Sequence, residues 1–495
     1  MEQLTIAKAH EGFRSGSFSS HALVSYYLGR IEALDKAGPK LNAILAISPS
    51  ALQDAAALDQ YLKERGELKG PLHGIPVLIK DQAATAGLET TYGSVAAKGH
   101  IPKEDATLVK KLRGAGAIVL AKTSMPDWAT SWHSTSSLSG LTGNPYDPSR
   151  DPGGSSSGTG AAIAADFALL GLGEDTGGSI RLPSSFCGLV GLRPTPGMIS
   201  RYGMSPLVVP QDTPGPMCRT VRDAALMFDA MVGFDSKDPF TSVNITTGPP
   251  VGGSYAAGLS SAKTSTLRIG VVKELFGSDE DGSQAPVNVV VRDALQKLQN
   301  AGATLVDVTI PNLFHYFQET FLYALRSRSD LDLFFASHPS PEISKLKVAD
   351  LGKSKTFHQA LDLFATIAEG PSSPHDANGE FSRKLLAQAE FQRVVLSAMA
   401  DANVAILAFP DCRIPAQLNT DVLNPPWGTA ADFPTNTLLA SQAILPAISV
   451  PVGLTQDLGL PVGLELVGVP LSEQVLFNAA ACVESVVDGR RPPKL

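Results

Sequence analysis

GIPVLIKDQAATAGLETTYGSVAAKGHIPKEDATLVKKLRGAGAIVLA, residues 74–121, changes the texture of the chain and decides its fold class. Ile75 to Ile79 is a short apolar run ending at Lys80–Asp81, the length and composition of a buried strand. Leu108, Val109 and Leu112 recur at helical spacing behind Asp105, which is placed to cap a helix that Gly114 and Gly116 end. Ala117 to Ala121 reads as the next buried strand. Strand, helix, strand in that order predicts an α/β protein, a sheet with helices on its faces.

The same unit recurs downstream: a strand over Leu267–Val272, a helix near Val287–Gln299 and a strand over Thr304–Ile310. Upstream, residues 1 to about 68 read as helical, with apolar positions recurring through Leu23, Tyr26, Tyr27 and Ile31, then Leu52, Ala56 and Leu62. Thr241 to Thr266 is rich in Gly, Ser, Thr and Pro and predicts a long surface loop. Residues 311–400 are helical in pattern, broken around Pro371–Gly379. The expectation is one domain over 1–495, with a helical N-terminal region (1–68), a core at 70–235 and a helical insertion at 311–400.

Composition removes several function classes. Of 495 residues, 43% are hydrophobic and 18% charged, and the net charge of −8 speaks against the basic face that direct nucleic-acid binding needs. No apolar run approaches the roughly 20 residues of a membrane span. The opening MEQLTIAKAHEGFRSG lacks a basic region followed by an apolar stretch, so no secretory signal is expected and the predicted location is cytoplasmic. Cys187, Cys218, Cys412 and Cys482 lie far apart without a CxxC pair, which predicts buried free thiols and neither a metal knuckle nor a disulfide framework.

The chemistry concentrates in DPGGSSSGTGAAIAADFALLGLGEDTGGSIRLPSSFCGLVGLRP, residues 151–194. Two Gly-Gly-Ser loops place Ser155 and Ser179 twenty-four positions apart, separated by a predicted helix near Gly158–Ala165 and a strand near Phe167–Gly173. Taken singly, either loop suits phosphate binding or a plain turn. The GxxxxGK[ST] phosphate cradle and the strand–GxGxxG–helix dinucleotide fingerprint are both absent.

Combined with GIPVLIKD around Lys80, these loops resemble the amidase signature family. QDTPGPMCRTVRD at 211–223 and LPVGLELVG at 460–468 extend the resemblance, in the order the family shows. It implies a mixed β-sheet core flanked by helices on both faces, and amide C–N hydrolysis through an acyl-enzyme, without cofactor or metal. It further implies Ser179 as nucleophile, Ser155 as a bridging serine on a cis peptide, and Lys80 as terminal base. Departures occur at Ser157 and Thr159, where the family favours Gly and Ser, and at Ser124 and Asp127, where it favours Asn and Glu. The latter pair bears on substrate choice.

The residues support that chemistry on their own terms. A serine hydroxyl attacks an amide poorly until a base removes its proton. No histidine lies between His133 and His315, so a Ser–His–Asp arrangement would have to draw on His133 from elsewhere in the fold. A lysine serves if it is neutral, and burial at the end of an apolar strand lowers its pKa. Thr176, Gly177, Gly178 and Ser179 offer consecutive backbone N–H groups for an oxyanion. Asp175 and Arg181 flank the nucleophile and are expected to brace its loop. Ser156 and Thr159 are expected to hydrogen-bond within the relay. Asp212 reads as a structural contact, and Cys187, in the apolar run SSFCGLVG, as a structural thiol.

The partner expected is a small-molecule amide, with an ester or carbamate as further options. The alternatives are the glutaminase subunit of a tRNA-dependent amidotransferase and a non-catalytic binding protein on the same fold. A homodimer is compatible with the sequence. Asn419–Thr435 is expected to form a loop near the site.

Overall fold

A computed structural model describes residues 1–247, 250–376 and 378–495. Its strands are β1 (Ile44–Ile47), β2 (Pro76–Lys80), β3 (Ile118–Thr123), β4 (Leu170–Asp175), β5 (Val190–Arg193), β6 (Thr213–Cys218), β7 (Arg268–Val272), β8 (Thr304–Val308), β9 (Ile406–Pro410), β10 (Ala447–Leu454) and β11 (Pro461–Gly468). They form one mixed sheet in the order β1-β3-β2-β4-β6-β5-β10-β11-β9-β7-β8. β2 lies between β3 and β4, parallel to both, while β4 pairs antiparallel with β6. Ligand sites gather at the carboxyl ends of parallel strands. Here that end carries Lys80 on β2 and Glu174–Asp175 on β4.

Helices cover both faces. Along β9, Ile406 and Ala408 pack into one core with the Ala285–Asn300 and Glu473–Val487 helices, while Leu407 and Phe409 pack into a second core with the Glu380–Asp401 helix. Successive strand residues point to opposite faces, so this alternation means apolar cover on each side. Every residue of β2, β3 and β4 is buried, which explains why they read as unbroken apolar runs rather than alternating ones.

Several expectations need correction. The N-terminal region holds the helices Ile6–Ser15, Ser20–Ile31 and Ala51–Arg65, but also edge strand β1, which four residues of apolar sequence cannot distinguish from helix. Asp105 does not cap the Thr107–Gly114 helix; its carboxylate accepts from Ala86 N at 2.7 Å and pairs with Arg113 at 3.1 Å. The strand expected from Phe167 starts at Leu170, because Asp166 takes a left-handed φ of 60° and turns the chain first. Within Thr241–Thr266 the described residues form short helical turns, among them Asn244–Thr247 and Tyr255–Gly258, the latter anchored by Tyr255 against Phe228 and Phe477. Positions 248 and 249 of that stretch, and 377 of the Pro371–Gly379 break, lie outside the described residues. Residues 311–400 carry helices that include Tyr323–Ser337 and Glu380–Asp401.

Candidate active site

Lys80 closes β2 and is completely buried. Its Nζ lies 2.8 Å from Ser155 Oγ. The charged amine donates in that contact; the neutral amine can accept the hydroxyl proton instead. Nζ also donates to the carbonyl of Glu174 at 3.2 Å and stands 3.7 Å from the Glu174 carboxylate. Burial pulls Lys80 down from its ordinary 10.5 to about 8, against the upward pull of Glu174 and Asp175.

Ser155 follows a cis Gly154–Ser155 peptide and precedes the Ser157–Ala164 helix. Ser179 sits in the turn between β4 and the Arg181–Phe186 helix, 5% exposed. Ser156 N donates to Ser179 O at 3.1 Å and joins the two loops through their backbones. Among the described residues Ser179 Oγ makes no hydrogen bond, so this hydroxyl is not committed to the protein.

Of the four N–H groups expected to face an oxyanion, the one on Gly178 is already used, donating to Asp175 Oδ1 at 2.8 Å. Those of Thr176, Gly177 and Ser179 have no hydrogen-bond partner among the described residues. The Gly177 carbonyl is fixed by Trp132 Nε1 and Thr437 Oγ1, both at 2.9 Å. A Cβ on Gly177 would stand 2.0 Å from the Tyr323 hydroxyl, and one on Gly178 would stand 2.0 Å from Thr437 Oγ1, at a φ of 117°. Both glycines are therefore required by space, the second also by backbone conformation.

Asp175 organises this turn. Its carboxylate accepts from the N–H groups of Gly178 and Ile180, from Arg181 Nε and Nη2 at 3.1 Å, and from Arg193 Nη1 at 3.0 Å. Burial alone would raise this carboxyl, yet Arg181 and Arg193 together hold it far below its usual range. Arg181 reaches on to Thr437 O, Ser441 Oγ and Glu465.

Comparison with known proteins fits this geometry. The Amidase family profile matches residues 22–477. The chain belongs to the amidase family. It is an amidase, a hydrolase of carbon–nitrogen amide bonds. Among curated relatives it is similar to a Glutamyl-tRNA(Gln) amidotransferase subunit of Alkaliphilus metalliredigens, 33% identical over 494 residues, covering 98% of this chain and 96% of the relative. Among solved structures it is similar to the native peptide amidase of Stenotrophomonas maltophilia, with a TM-score of 0.85 and 33% identity over 100% of this chain and 99% of that one. The corresponding Glutamyl-tRNA(Gln) amidotransferase subunit of Thermotoga maritima gives a TM-score of 0.74 at 26% identity, covering 98% of this chain and 94% of that one.

Other expected residues of the amidase take different places. Ser156 and Thr159 do not hydrogen-bond to Lys80, Ser155 or Ser179 side chains. Ser156 Oγ lies 3.3 Å from both the N and the O of Glu174, and Thr159 Oγ1 bonds Leu172 O at 3.1 Å and Thr123 Oγ1 at 2.6 Å. Both pin the loop helix to the sheet. Asp212 accepts from Thr176 Oγ1 at 2.7 Å and from the N–H groups of Leu207 and Val208. Cys187 is buried, its thiol pushed up by desolvation. The His133 ring packs against Trp427 and Phe433, makes no hydrogen bond among the described residues, and lies 3.7 Å from the Asp151 carboxylate. This contact carries the 419–435 segment up to the Ser155 loop, because the His133 backbone packs directly on Gly154.

Three groups at the site were not singled out from sequence. Glu174 faces Lys80, Tyr323 packs on Gly177, and Thr437 holds Gly177 and Gly178. Glu174 reads as the polar end of a strand, and the other two lie more than 140 residues away along the chain. The described residues contain no group of three or more His, Cys, Asp or Glu placed to hold a metal, and no helix long and apolar enough to cross a membrane.

Proposed function

We propose that this amidase cleaves a small or medium acyl amide through a Ser179–Ser155–Lys80 relay and an acyl-enzyme. The observation that carries this reading is the contact between a fully buried lysine amine and Ser155 Oγ at 2.8 Å, with the Ser179 turn tied to the Ser155 loop. Ser179 Oγ attacks the carbonyl carbon while its proton passes to Ser155 and the Ser155 proton passes to Lys80. The carbonyl oxygen becomes an oxyanion facing the free N–H groups of Thr176, Gly177 and Ser179, each such donor contributing about 3–4 kcal/mol in comparable sites. On collapse the proton returns through Ser155 to the departing nitrogen. Water then repeats the sequence on the acyl-enzyme.

We further read the chain as a single amidase domain with 311–400 as its helical insertion. One sheet takes strands from both sides of the insertion, and the insertion's Tyr323 reaches the Ser179 turn. A second reading, the glutaminase subunit of a tRNA-dependent amidotransferase, is favoured by the curated relatives. The higher TM-score to the peptide amidase than to the Thermotoga protein favours the stand-alone enzyme.

The test is labelling with a fluorophosphonate followed by peptide mapping. The adduct is expected on Ser179, and Ser179→Ala should neither label nor turn over any member of a graded amide panel. An adduct on another residue, or turnover surviving Ser179→Ala, would overturn the assignment. Co-purification of companion subunits, with glutamine as the one amide cleaved, would favour the second reading.

A further inference from the structure

Glu174 is a buried carboxylate that the relay does not use. It is 1% exposed, and its Oε1 lies 3.2 Å from Thr176 Oγ1. Its Oε2 has no hydrogen-bond partner among the described residues and faces Lys80 Nζ at 3.7 Å. Glu174 and Asp212 also line a cavity of about 1040 Å³ whose lining includes the exposed residues Lys103, Lys237 and Glu342. The carboxylate thus stands between the amine and a route to solvent.

We propose that Glu174 is the charge partner of Lys80, a positioning residue whose carboxylate stands ready for the positive charge that the amine acquires. This rests on the relay proposed above. When the Ser155 proton reaches Nζ, a lone ammonium would otherwise form in a fully buried site, where an unpaired charge is strongly disfavoured. Opposite Glu174 it forms as an ion pair. The proton later leaves by the same path to the departing nitrogen, so the carboxylate neither gains nor loses one. Its effect is absent before proton transfer and present during it, the condition for acting on the rate and not on binding.

The groups facing Glu174 come from several elements. Lys80 and Gln82 approach from β2 and the turn after it, Asp212 from before β6, Arg193 from β5 and Tyr323 from the insertion, with Asp175 and Thr176 on its own segment. Burial and then Asp212 raise its carboxyl, and Lys80 opposes them.

The test measures fluorophosphonate labelling of Ser179 against pH in the full-length wild type, E174Q and E174D. In E174Q the acid limb should move about one pH unit lower, because the neutral amide no longer favours the ammonium. Its maximal labelling rate should fall about tenfold, with the half-saturating probe concentration unchanged. E174D should restore most of both. An E174Q limb and plateau matching the wild type, or a change confined to the half-saturating concentration, would overturn the proposal. If E174Q does not fold, as read by its melting curve, E174D should still shift the limb in the same direction by a smaller amount. An unmoved E174D limb, or loss of fold in both variants, would overturn it too. Wild-type enzyme that fails to label at Ser179 would instead sink the relay, and this inference with it.

Discussion

Glu174 and Asp175 are consecutive residues of one strand, both carboxylates, both buried, and their surroundings drive them in opposite directions. Asp175 is enclosed by two guanidinium groups and backbone N–H donors, and it is held far below its usual range. Glu174 points to the other side, meets one amine at 3.7 Å, and is raised by burial. On the Asp175 side two guanidinium groups, Arg181 and Arg193, pair with the carboxylates of Asp175 and Glu465, a cross-linked network that favours a single geometry. The Lys80–Glu174 side is left incompletely bonded, and an incompletely bonded pair can change its protonation state. Rigidity on one side of β4 frames reactivity on the other.

Breaking the reactive side should have the largest effect on rate and the smallest on fold. Lys80→Met should lower kcat by about 10⁴-fold, more than 5 kcal/mol of barrier, as removal of a relay member does elsewhere. Its melting temperature should fall, though less than that of Arg181→Met, because one buried carboxylate, Glu174, loses its partner and its raised carboxyl can take up a proton. Steady-state kinetics beside a thermal melt checks both halves, and a collapsed melt would mean that the lysine is structural. Breaking the rigid side should reverse the pattern. Arg181→Met strands the carboxylates of Asp175 and Glu465 and should cost about 3–5 kcal/mol in urea-unfolding stability, with activity lost because the Ser179 turn is no longer held. A variant as stable as the wild type would show that Asp175 is held by backbone donors and Arg193 alone.

The smallest expected effect separates the two sides by pH. The relay needs Lys80 neutral, and a lysine is neutral above its pKa, so kcat/KM should rise with pH, pass half its maximum near pH 8 and level off about one pH unit above. Below pH 8, each pH unit should lower it about tenfold, or 1.4 kcal/mol. Asp175 stays ionised across this range and contributes no limb. An acid limb that disappeared on replacing His133 would move the base to the histidine.

How far the sequence carried these conclusions depended on what each residue's neighbours looked like. β2 and β3 were legible to within two residues because strands buried on both faces leave an unbroken apolar run. β1 was hidden because four residues on a sheet edge leave no period to detect. Lys80, Ser155 and Ser179 stood out because the motifs around them together resemble the amidase signature family, whereas either glycine-rich loop taken singly suits a plain turn. Glu174 did not, since a carboxylate at a strand end is ordinary until the lysine on the parallel neighbour is placed beside it. Thr437 and Tyr323 carry no local signal, because their work is to fill the space above two glycines and that space exists in three dimensions alone.

The clamp on Gly177 and Gly178 also bears on how the enzyme is made. Synthesis to the end of β8 yields a polypeptide that already contains Lys80, Ser155 and Ser179, yet lacks Thr437, Ser441 and Glu465, to which the Ser179 turn and Arg181 are fastened. β5, which follows that turn, likewise waits for β10 to complete its pairing. A ribosome-bound or prematurely terminated fragment should therefore be inert toward amides in the cell, and catalytic competence should arrive with the last quarter of translation.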